Sequence, residues 1–90
     1  MVEEQTAAQM HESARRTVGF LVADVRGRTV GRVVGPMYGT SPREPDALAV
    51  RCGRIRVRHY IVPTAAIEAI DDRSRVIGLR LAATALRRFL

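Results

Sequence analysis

Hydrophobic and polar positions alternate from Val18 onward, and the alternation is punctuated by glycine and proline. Between Val18 and Asp24 the period of two puts Phe20 and Val22 on one face of a strand and Leu21 and Ala23 on the other. Asp24 to Arg28 reads as a turn in which Gly27 supplies a positive φ. A second strand runs from Thr29 to about Met37. Within it Gly31 and Gly35 predict bulges or tight bends of the kind closed small barrels need, and Pro36 weakens a central ladder. Gly39 to Asp46, with two prolines and no apolar residue, is a loop. Ala47 to Cys52 is a short third strand, and Gly53 closes a tight hairpin into a fourth strand, Arg54 to Val62. Alternation there points Ile55 and Val57 inward and Arg54, Arg56 and Arg58 outward. Pro63 ends that strand because it cannot donate to a ladder, and Thr64 to Ala66 starts a helical turn. Ala69 to Asp71 and Val76 to Leu81 form a last hairpin around Asp72-Arg73-Ser74. Thr84 is placed to cap a short terminal helix, Ala85 to Leu90, offering Leu86, Phe89 and Leu90 for burial.

Short strands at regular spacing with glycine-marked turns predict an all-β barrel or sandwich of about six strands with a short C-terminal helix. Helical runs long enough for crossover connections are missing, so a parallel α/β sheet is not expected. Residues 1–16 differ from the rest. They are polar, and Ala7, Ala8, Met10 and Ala14 line only a weak helical stripe, so a flexible tail or marginal helix is expected there. Residues 17–90 are expected to form the single domain.

Composition narrows this further. A 90-residue chain supports a modest core but no large internal cavity. At 47% apolar residues it is too hydrophobic for wholesale disorder. The net charge is +6 and every basic residue is arginine, a balance that attracts phosphate polymers and acidic surfaces and that also suits bidentate contacts to protein carboxylates. One cysteine, Cys52, excludes an internal disulfide and fits a reducing, cytoplasmic setting. The first residues have no basic and apolar signal pattern, and no apolar run approaches the roughly 20 residues that cross a bilayer as a helix.

Three stretches in order carry a resemblance. Gly19-Phe-Leu-Val-Ala-Asp24, Gly27 and Val30-Gly31-Arg-Val33 resemble the opening hairpin of PRC-barrel domains. Tyr60-Ile-Val-Pro63-Thr-Ala-Ala-Ile67 is similar to the family's Val-Pro-x-x-x-Ile element, and Ile70-Asp71-Asp72 with Val76-Ile77-Gly-Leu79 to its final hairpin. The resemblance covers about Thr17 to Leu81. It implies a small β-barrel and a theme of protein–protein docking, as in the cytoplasmic part of the photosynthetic reaction-centre H subunit and in a ribosome-maturation protein. Beside the resemblance, the residues themselves give Asp24, Gly27, Gly31 and Pro63 structural roles, with Asp24 able to accept from backbone amides two or three residues on and so fix its turn. The polar leader and the proline-rich loop fall outside the family pattern.

The residues themselves offer little catalytic chemistry. His11 and His59 lie far apart, with no cysteine or acidic cluster at ligand spacing, so no metal or cofactor is expected. Cys52 has no paired base beside it in sequence. Asp71 and Asp72 are neighbours that a strand would point to opposite faces. The notable surface feature is the stripe Arg54, Arg56 and Arg58, joined by Arg51 across the Gly53 turn, with Tyr60 and Tyr38 as aromatic neighbours. The expectation is a non-enzymatic protein-interaction module that self-associates as a homodimer through a barrel edge or its terminal segments. The alternative is an RNA- or ribosome-associated module using the arginine face.

Overall fold

The computed structural model describes residues 15–39 and 45–89. The expected leader, apart from Arg15 and Arg16, and the middle of the proline-rich loop lie outside the described residues. Seven strands follow in chain order: β1 (Leu21–Ala23), β2 (Thr29–Met37), β3 (Ala47–Cys52), β4 (Arg58–Pro63), β5 (Ile67–Asp71), β6 (Val76–Leu79) and β7 (Arg87–Phe89). Short 3-10 turns at Thr64–Ala66 and Ala83–Ala85 precede β5 and β7. All strands belong to one sheet in the order β5-β6-β1-β2-β3-β4-β7. The class is all-β, as the alternation predicts.

The core lies on one face of this sheet. Val22, Val50, Val62 and Ile77 are fully buried, Leu48 nearly so, and Phe20, Val30, Val33 and Leu79 complete the cluster. Phe20 and Val22 share the buried side, while Leu21 and Ala23 are half-buried, as the period of two requires. Val30 and Val33 are three residues apart, yet both are buried. A bulge reconciles them: Val22 faces Gly31 and Ala23 faces Thr29, so Val30 is an extra residue on β2. A second bulge at Val34 lets Val33 face Val50 and Gly35 face Ala49. Both irregularities sit beside the glycines that predicted them.

Strand ends differ from the sequence reading, with β1 confined to Leu21–Ala23 rather than Val18–Asp24, β5 starting at Ile67 rather than Ala69 and β6 ending at Leu79 rather than Leu81, and three differences are larger. The terminal helix does not form; Ala83–Ala85 is a single 3-10 turn, and Arg87–Phe89 pairs antiparallel with β4. A helix of six residues has too few internal hydrogen bonds to hold alone, whereas β4 presents an edge that satisfies the backbone at once. That strand brings the total to seven rather than six. The fourth strand begins at Arg58, not Arg54, because pairing fixed at Cys52 opposite Arg58 leaves residues 53–57 to make the turn. The third difference is that β1 pairs parallel with β6, Val22 opposite Ile77. Local patterning cannot show this contact, because its partners are joined by most of the chain.

The turns behave as their residues dictate. Gly27 adopts φ +80°, and its amide donates to the Asp24 carbonyl at 2.9 Å. The Asp24 carboxylate accepts from the amides of Arg26 (3.0 Å) and Arg28 (2.8 Å). Its other oxygen accepts from the amide of Ala83 at 3.0 Å. The Val25 amide donates to the Leu81 carbonyl at 2.9 Å. One carboxylate therefore fixes the first hairpin turn and ties it to the segment that leads from β6 to β7. Pro63 is the last residue of β4, opposite Ala47, directly before the Thr64–Ala66 turn.

Candidate functional site

The arginine stripe is not a strand face. Arg51 lies on β3 and is exposed, directly between Arg32 of β2 and His59 of β4. Arg54 and Arg56 lie on the bent connection of residues 53–57, and Arg58 is the exposed first residue of β4. The connection is tight at its start. Gly53 has φ +96°, and a Cβ there would meet the Arg56 carbonyl, so the chain doubles back on itself at a place only glycine suits. Ile55, expected inside, stands 98% exposed at the tip between Arg54 and Arg56, while Val57 is half-buried. The alternation was misleading here because a turn consumes it: bends have no inner face.

Tyr60 also moves. It lies opposite Val50 and packs against the core. Arg51, one register step away, points to the opposite face. The tyrosine therefore does not sit beside Arg51 as a platform. Tyr38, just past β2, is partly exposed.

What the structure does bring together is a shallow, open depression on the outer face. It has a volume of about 510 Å³ and is lined by Leu21, Thr29, Gly31, Arg32, Arg51, Cys52, Gly53 and Arg54. Arg32 and Arg51 are directly opposed, so their side chains leave the same face of the sheet. Arg32 is oriented by its own donation to the Gly19 carbonyl at 3.1 Å. Gly31 matters through close approach: a Cβ at this buried position would collide with the Arg51 carbonyl, so its absence lets β2 and β3 draw together under the two arginines. Arg32 is a site residue that the sequence reading missed. Its only local signal is a charge amid apolar neighbours in Val30-Gly31-Arg32-Val33, and the pairing register is what gives that charge meaning.

Several charges elsewhere have partners. Arg16 pairs with Asp72 at 2.9 Å, and Arg80 pairs with Glu68 at 3.3 Å while also donating to the Ile67 carbonyl at 2.8 Å. Asp71 accepts from the amides of Arg73 and Ser74 and closes the β5–β6 turn. Hydrogen bonds to Ser74 and Arg73 hold its carboxyl below the ordinary value. The Asp24 carboxyl is likewise lowered, first by the Ala83 amide and then by those of Arg28 and Arg26, against the opposing pull of desolvation. Asp71 and Asp72 thus have separate structural partners. Among the described residues no carboxylate pairs with Arg51 or Arg54. Among the same residues no group of three or more His, Cys, Asp and Glu side chains is placed to hold a metal ion, and no helix is long and apolar enough to cross a membrane. His11 lies outside the described residues.

No family model and no curated protein matches the chain.

Proposed function

We propose that the chain is a non-catalytic, cytoplasmic protein-docking module of the PRC-barrel type, which binds through its basic outer surface and self-associates as a dimer. The observation that carries the docking role is Ile55: a large aliphatic side chain 98% exposed on the bent 53–57 connection, flanked in the chain by the exposed Arg54 and Arg56, with Arg58 two residues further on. An apolar anchor beside arginines is the composition of protein interfaces, where arginine is enriched and a few buried anchors carry most of the affinity. A partner with an apolar notch and an acidic rim fits it.

The barrel reading draws support from connectivity. The strands β6 and β7 are five steps apart in the sheet order, about 24 Å if the sheet were flat. The segment from Leu79 to Arg87 contains the Ala83–Ala85 turn and spans only about 24 Å when otherwise fully extended. It also bends to bond Asp24 and Val25, so it has no slack unless the sheet curls and brings β5 and β7 towards each other. The three stretches similar to PRC-barrel domains fall on the β1–β2 hairpin, the end of β4 with its 3-10 turn, and the β5–β6 hairpin.

The RNA reading is weaker, since Tyr60 packs on the core rather than among the arginines. The experiment that tests docking is capture of a partner by the immobilised chain, compared with Ile55→Asp. Loss of capture with the fold intact supports the proposal, and unchanged capture refutes it. A strict monomer in light scattering at high concentration would refute the dimer.

A further inference from the structure

We infer that the depression between Arg32, Arg51 and Arg54 is a carboxylate notch that takes acidic side chains at alternate positions of an extended protein segment. The inference rests on the docking role proposed above and names the chemistry of the partner there.

The first argument is electrostatic. Arg32 and Arg51 are directly opposed on antiparallel strands, and like charges in that position repel. Among the described residues no carboxylate pairs with Arg32, Arg51 or Arg54. The missing Cβ of Gly31 lets the Arg51 backbone close onto β2, so the two arginines start from neighbouring backbone positions. Arg32 is further held by the Gly19 carbonyl. An anion lying between the two guanidinium groups would offset this local excess of positive charge.

The second argument concerns which anion. Two arginine forks side by side suit two carboxylates, since each fork can bind one through paired N–H···O bonds. Acidic residues at alternate positions of an extended segment present their carboxylates on one side. The lining adds Leu21 and the small residues Thr29, Gly31, Cys52 and Gly53, and it contains no aromatic ring. Nucleic-acid bases would find no stacking surface there, whereas the aliphatic stems of glutamates would lie against Leu21.

The test uses the full chain with three probes at low salt: acetyl-tetraglutamate amide, a four-residue oligouridylate and inorganic phosphate. Amide shifts of the isotope-labelled protein report binding, and thermal unfolding reports stability. The tetraglutamate should perturb the amides of Gly31, Arg32 and Arg51 to Arg54, and Arg51→Gln should weaken it by about tenfold or more. Without ligand, Arg51→Gln should raise the folded-to-unfolded ratio about two- to fivefold at low salt, because it removes a repulsion. Arg73→Gln, with the same change in net charge on the β5–β6 turn, should alter neither quantity by as much. The inference is overturned if Arg51→Gln binds the peptide as well as the parent chain, if it fails to gain stability at low salt, or if Arg73→Gln has an equal effect. Tighter binding of oligouridylate or phosphate than of tetraglutamate also overturns it. Partner capture is read at Ile55, a different residue, so a failed titration removes this assignment and leaves the docking role to its own experiment.

Discussion

Replacing Ile77 by alanine tests the parallel β1–β6 pairing and the single core that depends on it. Ile77 is fully buried, opposite Val22 of β1. The substitution deletes three buried carbons, about 2.4 kcal/mol of transfer free energy at ~0.8 kcal/mol per group. The cavity left behind adds to this, for a total of about 3–4 kcal/mol. A domain of this size has about 5–13 kcal/mol of stability, so the variant should lose a large share of it. The unfolding midpoint should fall by about 12–30 °C. Val76 is the control. It precedes Ile77 on the same strand, points to the other face and is half-buried, so Val76→Ala should cost only about 1 kcal/mol. Urea titration of both variants, followed by circular dichroism, reads the difference. A larger cost at Val76 than at Ile77 would mean that β6 is out of register by one residue, which would exchange its faces.

Two further predictions concern the turns. The Asp24 carboxyl is lowered from an ordinary value of 3.8 in the folded chain, so its contribution is fully present above that value and is lost as pH falls through the folded one. Acid titration of stability should therefore fall less steeply for Asp24→Asn, which starts from a less stable fold; identical pH profiles would show that the Ala83 and Arg28 bonds do not favour the charged form. Gly53→Ala forces a side chain into φ +96° and against the Arg56 carbonyl, and should cost about 1–2 kcal/mol in urea unfolding. A neutral result would mean that the 53–57 connection relaxes freely.

Most of the fold was legible because it is local. The spans of β2 and β3 follow from alternation between turn residues, and the Asp24 turn follows from an aspartate that can reach amides a few residues ahead. The failures share a cause. Residues 54–57 alternate perfectly, yet the pairing of Cys52 with Arg58 turns them into a bend and exposes Ile55. Arg87–Phe89 has no strand signature and becomes one because β4 offers an edge. The Asp24–Ala83 bond and the Arg32–Arg51 juxtaposition join residues distant in sequence. Of the candidate site, the arginines were visible as residues, but their grouping was not: Arg32 enters, Tyr60 leaves, and Arg54 with Arg56 frames an apolar tip instead of continuing a sheet face.

Partner capture is the most direct measurement of the central claim, a binding surface built on an exposed isoleucine within an arginine rim. The immobilised chain should retain a protein from native lysate at moderate salt, and ribonuclease should leave it bound. Ile55→Asp and Arg56→Glu, each shown to be folded by circular dichroism, should release it. The same retained set on parent chain and Ile55→Asp, or a set that ribonuclease removes, would contradict the account.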